Sequence, residues 1–433
     1  MSSTPSSGTR LDPWFGAYAG RTHGLRVSET RALFSVANRP EVVSLAGGMP
    51  FLDALPMDLI AKVTADLIAA EGRVALQYGN GQGHPVLRGH ITEVMAEEMI
   101  QAHPDDIVVT TGSQQALDLV TRIFVDPGDV VLAEAPSYVG ALSVFKSYQA
   151  WVEHVPMDHH GLIPSALEET IKRLKQAGRR MKFLYTCPTF HNPAGVTLPV
   201  ERRVEVLDIC QRHGILVVED NPYGMLGFDG QITPAIRSMD PDGVLYLGSF
   251  SKTLAPGYRT GWVAAPHAVR EKLVLASEAS ILCPSHASQL SIAAYLESCD
   301  WRGQIGAYRE VYRERCDTML SSLAELMAEC SWTTPAGGFY TWVTVPEGIN
   351  TKSMLPRATT ALVAYVSGTA FYADGQGSSQ MRLSFCYPTP ERIREGIKRL
   401  AGVIAKEMEL VELFGPHGPG PVADVTNPAP DVA

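Results

Sequence analysis

No CxxC pair occurs in this chain, and its seven cysteines (Cys187, Cys210, Cys283, Cys299, Cys316, Cys330, Cys386) stand at irregular spacing. An odd count in a long chain argues against a secreted disulfide framework and for a reducing compartment. No apolar run approaches the roughly 18–20 residues that a membrane span needs. The first residues, Met1 to Arg10, are polar with no apolar stretch behind them, so no signal peptide is read and a cytoplasmic location is expected. Excess positive charge is missing too: 36 Lys and Arg against 46 Asp and Glu leave a net charge of −10. Such a chain is a poor candidate for binding nucleic acid or an anionic membrane. GxSxG, HExxH, Walker A and GxGxxG are all absent, which removes the common hydrolase, metalloprotease, NTPase and dinucleotide readings. The histidines, His159-His160 included, show no metal-ligand spacing, so no metal is expected.

What is present is a long, well-balanced globular sequence. At 433 residues, 45% apolar and 19% charged, it can bury a large core and is too long for one simple domain. From about residue 55 to 300, short β-branched runs alternate with helix-length segments. The runs are Ile107-Val108-Val109, Val130-Val131-Leu132, Phe183-Leu184-Tyr185, Ile215 to Val218 and Val244 to Leu247. Continuous apolar strands between helices predict an α/β unit with a mostly parallel sheet covered on both faces. Helices are predicted at about 267–300 and 302–329, the second with Arg309, Arg313 and Arg315 on a solvated face. Strand patterns at Gly337–Val343 and Met381–Phe385 then mark a smaller α+β unit. A final helix begins at Pro390 with Thr389 as its N-cap. The expected division is 1–52 as an N-terminal arm, 53–301 as the large domain, 302–414 as the small domain and 415–433 as a Pro/Gly-rich disordered tail.

In an open parallel sheet, ligands bind beyond the carboxyl ends of the strands. After Val109 comes Thr110-Thr111-Gly112-Ser113-Gln114, a turn opening a helix and thus an anion site in waiting. Glu134-Ala135-Pro136-Ser137-Tyr138 places an aromatic at the next strand end. Asp220 closes the buried run Ile215 to Val218 and needs a cationic or hydrogen-bonding partner. Gly248-Ser249-Phe250-Ser251-Lys252-Thr253, with Arg259 seven residues on, gathers hydroxyls, a lysine and an arginine that suit a phosphate and a reactive amine. Taken singly, a strand–helix turn or rim packing explains the Gly-Ser turn and Tyr138 as well.

Taken together, GSQQALDL, APSYVG, PTFHNPAGVTLP, VEDNPYG and SFSKTLAPGYRTGW, in this order, resemble the fold-type I, pyridoxal-phosphate-dependent class I/II aminotransferases. Within that family the sequence is similar to the branch holding aminoadipate, kynurenine, aromatic and branched-chain transaminases. SLAGGMP, LQYGNGQGHPVLR and FYADGQGSSQMRLSF extend the resemblance over about residues 28–408.

The resemblance implies roles residue by residue. Lys252 links to pyridoxal 5'-phosphate and shuttles the α-proton, and Asp220 holds the cofactor ring nitrogen protonated. Asn192 and Tyr223 bond the ring oxygen, and Tyr138 stacks on the ring. Ser113, Gln114, Ser249, Ser251 and Arg259 form the phosphate cup. Tyr78 reaches the phosphate of a neighbouring subunit, which implies a homodimer with sites at the interface. Arg382 grips the substrate α-carboxylate and Asn192 lies beside it, while Gly47 and Gly48 permit close approach. Two positions depart from the family pattern: His191 stands where Gln usually precedes Asn-Pro, and Tyr365 to Gly368 where Val-Pro-Gly is usual.

The activity implied is transfer of an amino group from an L-amino acid to a 2-oxo acid such as 2-oxoglutarate. Other cofactor-dependent reactions (oxidation, β-elimination) begin with the same residues and remain alternatives, as does an amino-acid sensor domain. The sensor reading expects a DNA-binding module, for which the roughly 27 residues ahead of the resemblance are too few. SxxK, the serine acylase pattern, occurs at both Ser249 and Ser143 and is chance-level. In this branch an N-terminal segment, here about 13–40, closes over the substrate as a lid. It carries Trp14, Phe15, Tyr18 and Phe34 beside Arg21, Arg26 and Arg31. Aromatics favour an aryl or arylglycine donor and arginines a dicarboxylic one such as aminoadipate; the aryl donor is the expectation.

Overall fold

The computed structural model describes residues 12–24 and 39–415. Phe34, Arg26, Arg31 and all but the first residue of the predicted tail lie outside the described residues.

After a two-residue strand, β1 (Val43–Ser44), the described chain builds an eight-stranded sheet. Its strands are β2 (Ile107–Thr110), β3 (Val130–Ala135), β4 (Trp151–Asp158), β5 (Gly161–Leu162), β6 (Met181–Thr186), β7 (Leu216–Asp220), β8 (Val244–Ser249) and β9 (Gly261–Ala264). Their order is β2-β9-β8-β7-β6-β3-β4-β5. The run from β8 to β4 is parallel throughout, and β9 is antiparallel to both neighbours. Alternate residues of the parallel strands face opposite helical layers, which is why these strands are apolar on both faces. Val131, Ala133 and Val218 pack with helices Ser113–Phe124 and Val139–Ser147, whereas Val130, Leu132 and Val217 pack with helices Pro164–Gln176 and Val200–His213.

A second sheet is antiparallel and four-stranded: β10 (Ser331–Trp332), β11 (Tyr340–Thr344), then β13 (Val366–Ser367) and β14 (Gln380–Ser384), in the order β10-β11-β14-β13. Between them β12 (Val363–Ala364) pairs in parallel with β1, so the segment before residue 52 joins the C-terminal part of the chain.

The expected fold class is observed, with local differences. The helix predicted over 267–300 is two, His267–Ile281 and His286–Ser298. Leu282 takes a left-handed φ of 66° and Ser285 caps the second helix by accepting from Ser288 N–H, so the chain restarts around Pro284. The next helix runs Trp301–Leu326, and its arginines are not simply a solvated face. Arg315 is buried over the Phe51 ring and bonds the Cys386 carbonyl, while Arg309 and Arg313 bond the carbonyls of Met225 and Phe228. The last helix, Pro390–Phe414, starts where predicted, with Thr389 Oγ1 accepting from Arg392 N–H.

Candidate active site

Because β3, β6, β7 and β8 are parallel, their carboxyl ends open on one side, and the segments that follow them line a common cavity of about 460 Å³. Its walls include Ser113, Gln114, Tyr138, Asn192, Asp220, Tyr223, Ser249, Ser251, Lys252, Arg382 and Gly48. Eleven positions expected from sequence thus meet in space, although 334 positions separate Gly48 from Arg382. Three expected positions do not line it. Gly47 is buried just behind Gly48. Arg259 is exposed beside the Gly112 turn, its guanidinium donating to the Thr111 carbonyl at 3.3 Å. Tyr78 is 76% exposed and outside the cavity.

Asp220 ends β7 with one carboxyl oxygen accepting from the Tyr185 hydroxyl at 2.8 Å. The other, Oδ1, is buried without a partner. Such an oxygen costs free energy comparable to a lost hydrogen bond or more, so the site is built for a donor that arrives from outside the chain. Burial lifts this carboxyl to about 6, against the hydrogen bond from Tyr185. Lining the same cavity, Lys252 donates from Nζ to the Gly48 carbonyl at 2.7 Å. Burial pushes its ammonium down to about 8, helped by Arg382 and Arg259. That brings a lysine near the range where its amine is a nucleophile.

Arg382, on β14, is 3% exposed and packs against the rings of Tyr340 at 4.1 Å and Phe371 at 5.1 Å. Its Nη1 donates to Asn192 Oδ1 at 2.9 Å and its Nη2 to the Ala46 carbonyl at 2.7 Å, leaving Nε without a partner. Among the described residues no carboxylate pairs with this buried guanidinium, which leaves it able to receive one. At the opposite wall, helix Ser113–Phe124 begins after Gly112 with no side chain capping its first N–H groups. Those groups and the helix dipole favour an anion. Ser249 Oγ accepts from Ser251 N–H at 3.0 Å at the same rim. Tyr138 lies between, its hydroxyl donating to Gln114 Oε1 at 3.2 Å and its acidity suppressed by burial.

Tyr340 was not expected. Read only as part of a strand, it lines the cavity, and its hydroxyl lies 3.4 Å from that of Tyr223. A Cβ on Gly48 would come within 2.0 Å of the Tyr340 hydroxyl oxygen, so this close approach requires glycine. Tyr185 was also read only as a strand residue. A tyrosine inside an aliphatic strand needs a buried partner for its hydroxyl, and that signal points to Asp220. The departure at His191 is buried one layer back: its Nδ1 accepts from Ala194 N–H at 3.1 Å and its Nε2 lies 3.1 Å from Glu134 Oε2.

The residues therefore present a helix N-terminus open to an anion, an unsatisfied carboxylate oxygen, an amine of lowered basicity and a buried arginine with Nε free around one cavity. This set fits pyridoxal phosphate, whose phosphate, ring nitrogen and aldehyde need those four environments in part and whose substrate needs the last.

Comparison with known proteins agrees. The family model for aminotransferase class I and II matches residues 40–400. An aromatic-amino-acid aminotransferase of Thermococcus litoralis is 42% identical over 90% of this chain and 95% of its own. A 2-aminoadipate transaminase of Thermus thermophilus is 36% identical over 92% and 98%. The crystal structure of a kynurenine aminotransferase from Pyrococcus horikoshii superposes with a TM-score of 0.87 at 38% identity, over 90% of this chain and 97% of that one.

Proposed function

This chain belongs to the class I and II aminotransferases and is a pyridoxal-phosphate-dependent transaminase, and from that premise we propose that its amino donor is an aromatic or arylglycine L-amino acid and its acceptor a 2-oxo acid such as 2-oxoglutarate. One observation carries the choice of donor. Among the described residues lining the cavity, the cations are Lys252 and Arg382, and both have other duties. The rest of the lining includes Met49, Val139, Gly140 and Tyr340, which offer an aryl group contact, and among the described lining residues no further cation faces a second carboxylate. The aromatic aminotransferase at 42% identity supports the same reading.

When bound, pyridoxal phosphate supplies an electron sink that weakens the Cα–H bond of the amino acid. In our reading Ser113, Gln114, Ser249, Ser251 and Arg259 would hold its phosphate and Tyr138 would pack against its ring. Asp220 would offer its free Oδ1 to the ring nitrogen, and Asn192 and Tyr223 would bond the ring oxygen. Arg382 clamps the substrate carboxylate, which fixes Cα near Lys252. Lys252 would hold the cofactor through Nζ, and its amine would be the base that carries the proton from Cα. A homodimer in which Tyr78 reaches the partner's phosphate accounts for an exposed tyrosine beside the apolar Leu76. We place the enzyme in the cytoplasm, where seven free cysteines are at ease.

A dicarboxylic donor is the competing reading. Arg21 lies in the turn Gly20–Gly24, which packs against the helix Val139–Ser147 that lines the cavity. A donor panel decides between them: phenylalanine, tyrosine and phenylglycine against 2-aminoadipate and glutamate, scored by 2-oxo acid formed. Aryl donors with kcat/KM at least about tenfold higher support the proposal, and the reverse order contradicts it.

A further inference from the structure

Glu98 lies behind the site. It follows helix Pro85–Ala96 in a turn remote from every motif, yet it is 3% exposed. Its Oε1 accepts from Asn221 Nδ2 at 2.6 Å and its Oε2 from the Tyr246 hydroxyl. Asn221 directly follows Asp220, and its N–H donates to the Leu247 carbonyl at 3.0 Å. Tyr246 lies on β8, the strand that delivers Ser249 and then Lys252. A Cβ at Gly224 would lie 1.7 Å from Glu98 Oε1, so the turn carrying Tyr223 closes directly onto this carboxyl.

Burying a carboxyl is expensive even when it is hydrogen-bonded, and an apolar side chain of similar volume costs less. Burial lifts Glu98 to about 7 against the bonds from Tyr246 and Asn221, with Glu219 raising and Arg203 lowering it further. What the carboxyl supplies is two directed bonds, one to the turn after β7 and one to strand β8.

We propose that Glu98 is a positioning residue for the cofactor: by joining Asn221 to Tyr246 it sets the turn that presents Asp220 and Tyr223 against the strand that presents Ser249 and Lys252. This rests on the roles given above to Asp220 and Lys252. The residue touches neither cofactor nor substrate and acts through its two partners.

The test compares Glu98→Leu, Glu98→Gln and Asp220→Ala, each measured for its pyridoxal phosphate dissociation constant, the visible absorption of the holoenzyme and its Tm. Glutamine keeps an acceptor for Asn221 and a donor for the Tyr246 oxygen, whereas leucine keeps neither. Glu98→Leu is expected to raise the dissociation constant about tenfold and to shift the visible band, and Glu98→Gln to stay within about twofold. A lowered Tm with an unchanged constant and band in Glu98→Leu reveals a merely structural residue and overturns the proposal. Asp220→Ala separates the two levels. If it alone changes the constant and band, only the role of Glu98 fails; if it changes neither, the reading of the site fails with it. Should Glu98→Leu not fold, Tyr246→Phe removes one of the two bonds at little change in volume. A roughly threefold weaker constant then supports the proposal and an unchanged one overturns it.

Discussion

Arg382 and Asn192 stand 190 positions apart and meet through a 2.9 Å hydrogen bond from Nη1 to Oδ1 in the lining of the cavity. The bond joins β14 of the four-stranded sheet to the loop after β6 of the eight-stranded one. It holds the guanidinium against the rings of Tyr340 and Phe371 with Nε still free. An arginine fixed in this way loses little freedom on gripping a carboxylate.

Replacing it therefore strikes substrate binding first. Arg382→Ala is expected to raise KM for the amino acid about 100-fold while the protein still retains its cofactor. Steady-state kinetics with parallel absorption spectra check this; cofactor lost with KM unchanged contradicts it.

The lowered basicity of Lys252 sets a pH dependence. Its amine is protonated below about 8 and free above, and only the free amine attacks an aldehyde. The rate at which cofactor-stripped protein takes up pyridoxal phosphate is expected to rise through pH 8 and level off near 9. A rise that continues to pH 10 shows an amine of ordinary basicity.

Asp220 gives a second one. Its folded value of about 6 lies above the 3.8 of a free side chain, so the cofactor-free protein gains stability from it below pH 4 and loses that as pH climbs through 6. A cationic donor at Oδ1 removes the loss. The stabilisation conferred by the cofactor should thus grow between pH 4.5 and 7, by on the order of 2 kcal/mol at most, and Asp220→Asn should flatten that growth. Equal slopes in Tm difference for both proteins count against the contact.

At Gly48 the issue is space. Gly48→Ala sets a methyl 2.0 Å from the Tyr340 hydroxyl oxygen and 3.2 Å from its ring carbon. Activity is expected to fall at least about tenfold, with a loss of about 1–3 kcal/mol in stability. Removing the hydroxyl in Gly48→Ala/Tyr340→Phe should recover part of both, and a double variant no better than the single one contradicts the contact.

Much of this was legible in sequence because the chemistry sits at the ends of buried parallel strands. Such strands are continuous β-branched runs, so Val244–Leu247 announces what must follow, including Ser249 and Lys252. Strands of other character were silent. β4 has only Val155 fully buried along its length, and β9 is a short antiparallel insertion beginning at Gly261. Tyr340 and Tyr185 passed as ordinary strand residues because a cavity wall and a core strand have the same alternation. Glu98 could not be read at all: its meaning depends on Asn221 and Tyr246, 123 and 148 positions away. Arg315 misled in the opposite sense, since a charged helical pattern does not reveal which arginine turns inward over Phe51.

The central claim is that Lys252 is the amine through which this cavity runs amino transfer. Lys252→Ala, loaded with pyridoxal phosphate and assayed with an aryl amino acid and 2-oxoglutarate, tests it most directly. The account predicts a folded protein that lacks the wild-type visible band and forms no glutamate above background. Glutamate formed at a wild-type rate would contradict it.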